Sequence, residues 1–179
     1  EKDQVLAAKV LRLANSPFYG FPSRIASVPH AVVVLGLNVV KGLTLCATAH
    51  DIMKDAGLDQ LWRHSLGVAI TAQILGKRLD MKNTEEVFVA GLLHDIGKAM
   101  DHEQEGGHPA IGMEFCRKFG ETEAVLNAIG GHHNDIPSTT PYTPIVMAAD
   151  AISILHRSPG AFLTVHAVTS LHAVVEIHE

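Results

Sequence analysis

Cysteine is scarce in this 179-residue chain: Cys46 and Cys116 are the two present, and no CxxC pair exists. That spacing argues against a thiolate metal site or a disulfide framework, and both residues are expected as small buried hydrophobes in a reducing compartment. Excess basic charge is also missing. A formal net charge of −5 supplies no general field for holding nucleic acid, although a local patch is still compatible with it. No apolar run approaches the roughly 20 residues that a membrane span needs. The longest, "AVVVLGLNVV", is interrupted by Gly36 and Asn38. No signal peptide opens the chain, so a soluble, cytoplasmic protein with no membrane partner is expected. The chain begins at Glu1 rather than methionine, and inside a helical pattern, as a piece of a longer protein would.

What is present is apolar and helical. Hydrophobic residues make up 47% of the chain and charged residues 18%, a balance suited to a packed core rather than a disordered tail. "DQVLAAKVLRLANS" has near-helical apolar spacing with Asp3 as a cap, and "NSPFYGFPSR" is a loop. Ser27 before Val28-Pro29 reads as an N-cap for a helix ending near Gly36, and another follows from Leu37 to about Met53. Val32–Val34 would also suit a strand, but the cap and alanine-rich context favour a helix. Further helices are expected over residues 58–80, from Thr84 as cap through Gly97, from His108 to Phe119, from Thr122 to His133, and over 145–156. After the Pro159-Gly160 break, a last amphipathic helix is expected from Ala161. The fold class is therefore all-α, a compact helical bundle. A junction near Lys54–Asp59 divides a short N-terminal lobe (1–56) from a larger part (57–179), the two forming one continuous unit.

Twelve histidines are present, and their placement matters more than their number. His64 sits mid-helix, His94 and Asp95 follow "VAGLL", His108 opens a helix, His132 and His133 close one, and Asp150 lies within "IVMAADAI". Burying such groups costs several kcal/mol or more unless they are paired or metal-bound. Taken singly, His64 suits a core histidine, Asp150 a buried ion-pair partner, and His132-His133 a surface pair. Together, seven imidazole and carboxylate groups on separate helices suit one or two divalent ions of Mn, Fe, Co, Ni or Zn. Two such ions activate water for attack on a phosphoester. Asp95 is the natural bridge, and Lys98, one turn beyond, would offset charge on a phosphate. Lys98 also suits a solvated cation favoured by a helix C-terminus. His30, His50, His102, His156, His166, His172 and His178 read as surface or incidental residues.

"WRHSLGVA", "GLLHDIGK" and "AADA" together resemble the HD superfamily of metal-dependent phosphohydrolases over roughly residues 58–157. "GGHPAIGMEF" and "AIGGHHND" are similar to segments of ribonuclease Y and HD-GYP phosphodiesterases. By that resemblance His108, His132 and His133 become ligands of a second metal, beside a first held by His64, His94, Asp95 and Asp150. The GYP element itself is missing, because "GHHND" is followed by "IPSTTPYTP". "AAKVLRLANSPFYGFPSRIASVPHAVVVLG" is similar to the start of HDOD domains, bacterial signalling modules of which many have lost ligands and act as regulatory or scaffold units. Here every ligand position is filled. The resemblance implies a metal-dependent phosphohydrolase, phosphodiesterase or nucleotidase in type, with Asp95 and Lys98 catalytic. Its partners would be a phosphorylated small molecule or nucleotide, with a signalling protein also compatible. The alternative is a non-catalytic module that binds a nucleotide or a partner protein.

Overall fold

A computed structural model describes residues 2–15, 23–100 and 107–157 of the chain. Among them the fold is all-α with no strand: α1 (Lys2–Ala14), α2 (Val28–Leu35), α3 (Leu37–Asp55), α4 (Asp59–Arg78), α5 (Thr84–Leu93), a short 3-10 helix (Ile96–Ala99), α6 (His108–Lys118), α7 (Glu123–Gly131) and α8 (Tyr142–Arg157). No helix among the described residues is long and apolar enough to cross a membrane. The helix expected from Ala161, the loop around 16–22, residues 101–106 and the incidental histidines His102, His166, His172 and His178 lie outside the described residues, as does the side chain of His156.

Side-chain caps set two of the helix starts. The Ser27 hydroxyl accepts from the His30 N–H at 3.2 Å, with proline in the first turn, so Val32–Val34 are helical. Thr122 caps α7 in the same way, through the Val125 N–H. Three expected boundaries are corrected. Asp3 lies within α1 rather than capping it, and Thr84 is the first residue of α5, with Asn83 at the cap position. Helix α8 starts at Tyr142 rather than 145, because Pro144 fits the first helical turn, where its missing N–H costs nothing.

Helix α5 is the centre of the bundle, packed against α3, α4, α7 and α8. That position explains why its sequence is apolar all round rather than amphipathic, and every residue from Thr84 to Leu93 except Glu85 and Glu86 is buried. Val87, Phe88 and Val89 sacrifice no more than about 0.7 kcal/mol each in helix propensity. Full burial of such side chains contributes roughly 1.5–3 kcal/mol each, so packing decides the conformation. Two glycines let the surrounding backbones close in. A Cβ on Gly91 would stand 2.8 Å from Ala69 Cα of α4, and one on Gly97 would stand 2.0 Å from the His108 carbonyl oxygen. Any side chain at either position would push α4 or α6 away from the residues between them, His94 and Asp95. Both cysteines are buried and free, and burial raises both thiols, as suits inert core residues.

Candidate metal centre

The α-helical part of "GLLHDIGK" stops at Leu93, which corrects the expectation of a helix running to Gly97. His94 is the C-cap of α5 and Asp95 leads into the 3-10 helix. Ending the helix there frees its last carbonyls. His94 Nδ1 donates to the Gly91 carbonyl at 2.8 Å, three residues back. At the end of α7 the same device recurs, where His132 Nδ1 donates to the Ile129 carbonyl at 2.7 Å. A carbonyl can only accept, so each ring carries a proton on Nδ1 and turns Nε2 inward. Two helix C-termini, each with partial negative charge, thus face one point and favour a cation there.

Around that point lie two groups that share one carboxylate. His64, His94 and Asp95 form the first, and Asp95, His108, His132 and His133 form the second; within each, the candidate ligand atoms lie within 4.8 Å of one another. The two oxygens of Asp95 divide between them. Oδ2 faces His94 Nε2 at 3.4 Å and His64 Nε2 at 3.7 Å, while Oδ1 faces His108 Nε2 at 3.1 Å and His132 Nε2 at 3.5 Å. Asp150 joins the first group through Oδ1, 3.0 Å from His64 Nε2 and 3.8 Å from His94 Nε2. The His133 ring lies tilted against His132 and edge-on to His108, with ring centroids 4.2 and 5.0 Å away. All seven expected ligand residues therefore meet in one place.

The donor set fits a divalent ion. His94 Nε2, Asp95 Oδ1 and Asp150 Oδ1 are buried yet lack an aligned hydrogen bond, despite neighbours at 3.0–3.8 Å. Unsatisfied buried polar groups cost about 1–3 kcal/mol each, more when charged. A cation at the common focus would satisfy all three at once. The protonation states agree. Burial pushes the His94 imidazole down to about 4, so it is neutral as a ligand must be. Burial alone would raise the Asp95 carboxyl, but contact with His108 and His132, with His94 and Lys98 beside it, holds it well below the usual carboxylate range. Asp150 is likewise pushed up by burial and pulled lower overall by His64 and His94. His133 is lowered by burial and by its histidine neighbours.

Lys98 is bonded directly to the cluster. Its Nζ donates to Asp95 Oδ2 at 2.6 Å, with 42% of the side chain exposed. Ser153 is a residue that the sequence reading missed: its hydroxyl sits 3.1 Å from His64 Nδ1. The available signal was its position three residues after Asp150, hence on the same face of α8. His50, expected to be incidental, packs edge-on to Trp62 at 4.7 Å and lies 3.3 Å from Asp51.

Geometry and fold together define the class: an HD-superfamily helical domain whose buried His/Asp cluster could hold a metal ion. Within it, the chain belongs to the HDOD domain family, whose profile matches residues 1–134. That span includes every residue of the cluster except Asp150. Ribonuclease Y 2 of Levilactobacillus brevis is 42% identical over 142 residues, covering 75% of this chain and 26% of that protein. Ribonuclease Y of Thermosipho melanesiensis is 45% identical over 98 residues, covering 55% of this chain and 19% of that protein. The chain thus spans about a quarter or less of the curated relatives it matches. An HDOD domain protein from Geobacter sulfurreducens superposes with a TM-score of 0.70 at 26% identity, over 98% of this chain and 74% of that one.

Proposed function

We propose that this domain is a metal-dependent phosphohydrolase of the phosphodiesterase or nucleotidase type, working in a bacterial signalling context. The observation that carries the reading is the split of Asp95, one oxygen toward each histidine group. His64, His94 and Asp150 with Asp95 Oδ2 would hold one ion; His108, His132 and His133 with Asp95 Oδ1 would hold the second. Divalent ions bound there would supply Lewis-acid stabilisation and an activated water. The chain's own residues do the rest. The carbonyls of Gly91 and Ile129 fix two ring tautomers, and Ser153 orients His64. Lys98, partly exposed and bonded to Asp95 Oδ2, would offset the negative charge of a phosphate. A phosphodiester substrate is also in keeping with the ribonuclease Y relatives.

The test is hydrolysis of a generic phosphodiester, short RNA and nucleotides with Mn, Fe, Ni or Zn added, against an Asp95→Ala control. Metal-dependent turnover lost in the control is expected; equal rates for both proteins with every metal would sink the enzyme reading. A second reading is a non-catalytic signalling module that binds a nucleotide or partner protein, and family membership supports it. Binding of either that survives loss of His94 and Asp95 would favour that module.

A further inference from the structure

On the far side of α4 from the metal centre, a cavity of about 230 Å3 opens between α1, α3 and α4. Trp62 and Leu66 form its α4 wall, one turn apart on the same face. His64 lies two residues from each, about 200° around the helix, and faces the opposite way. Leu13 of α1 adds an apolar side, and His50 of α3 stands edge-on to Trp62 at 76°. The rim is cationic, with Lys9 and Arg12 both from α1. These two cations differ. Lys9 is bound to Asp51, which also faces His50, so its charge is already matched. Arg12 is exposed and makes no ion pair with another described residue.

An apolar cavity walled by Trp62, with one guanidinium that pairs with no acidic group among the described residues, has a defined complement. Aromatic walls favour a ring, in edge or offset contact, and a guanidinium favours a carboxylate over any neutral group. The volume lies below the roughly 300–1,000 Å3 of sites for drug-sized ligands, which limits the occupant to about one ring. We propose that this cavity is a binding site for a small aromatic carboxylate, held by Arg12 and packed against Trp62. It is independent of the metal centre and of the hydrolase reading. It would place a ligand on the helix that carries His64, at the seam between the N-terminal helices and α4.

Trp62 is the only tryptophan in the chain, so its fluorescence reports on this cavity alone. The full chain is titrated with benzoate and with the neutral isostere benzamide, with calorimetry on the same samples. Benzoate is expected to give a saturable change and bind about tenfold or more tightly than benzamide, as one charge-assisted contact allows. In Arg12→Gln, an exposed substitution, that preference should fall below about twofold. The benzoate titration repeated in EDTA should be unchanged. A non-saturable response, equal affinity for the two probes, or a preference that persists in Arg12→Gln overturns the proposal. Loss of benzoate binding in EDTA overturns it too, because the anion would then sit at the metal centre.

Discussion

The two halves of the His/Asp centre use the same ligand chemistry but differ in how they are held. In the half formed by His64, His94 and Asp150, side-chain exposures are 8%, 0% and 14%, and two rings are anchored through Nδ1 by Ser153 and Gly91. In the half formed by His108, His132 and His133, His132 alone is fully buried and anchored. His108 is 25% exposed, and His133 is exposed and touches the other histidines through ring contacts. The difference follows from position. The first half sits where α4, α5 and α8 pack on one another, the second at the ends of α6 and α7. Closed metal sites tend to be structural, whereas chemistry requires an open coordination position. On the proposed hydrolase reading, the buried half would organise the centre and the exposed half would be where a substrate arrives.

Asp95→Ala should break the comparison altogether, because one residue serves both halves. Metal content measured on the purified protein should fall by at least about 100-fold in apparent affinity for both positions. Retention of one full equivalent would show that the halves do not share Asp95. Next in size are His94→Ala and His133→Ala, taken as a pair. Truncating the fully buried His94 should cost about 2–4 kcal/mol in denaturant unfolding and remove the first position. Loss of the exposed His133 should stay within about 0.5 kcal/mol and weaken the second position only. Equal stability costs would erase the distinction drawn above.

Ser153→Ala sharpens the contrast further. Its loss should weaken metal binding at the first position by about 10–100-fold, read by calorimetry, with the second position unchanged. Ser153→Thr, which keeps the hydroxyl, should restore affinity if orientation of His64 is the cause.

A separate effect lies at the other end of α7 from His132, where Glu121 precedes the helix. Burial pushes its carboxyl up to about 7, with Glu86 adding to the rise and Lys41 opposing it, and its Oε1 has no hydrogen-bond partner. The folded state therefore holds this proton more tightly than the unfolded chain. Stability from this group is complete below the ordinary glutamate range and declines as pH rises toward 7. Glu121→Gln should flatten that decline and stabilise the protein at pH 8 by about 1–2 kcal/mol. An unchanged pH profile would remove Glu121 from the account.

Much of this was legible in advance because it is local chemistry. Ser27 and Thr122 announce helix starts, since capping involves neighbours three residues apart. His94 and Asp95 stand out because charged ligand-type residues rarely follow "VAGLL" without a reason. The end of α5 at Leu93 was not legible. Gly97 resembles a C-cap, and nothing local says that the chain must turn earlier to let the 3-10 backbone meet α6. Ser153 was equally hidden: its partner His64 is 89 residues away, and a serine on a helix is unremarkable until that neighbour is known. Lys98 stood out by its place one turn beyond Asp95, but its direct contact with Asp95 depends on the turn geometry.

By itself, then, the sequence determined an all-α chain, the Ser27 and Thr122 caps, and an inventory of imidazole and carboxylate groups of ligand type with no competing thiolate. These follow from side-chain type and spacing along a single helix. Tertiary structure alone decided that the seven candidate ligand residues meet, that Asp95 divides its oxygens between two groups, and that one group is closed while the other is open. Those outcomes depend on how closely α4, α5 and α6 approach across Gly91 and Gly97. That distance is set by packing between residues far apart in the chain.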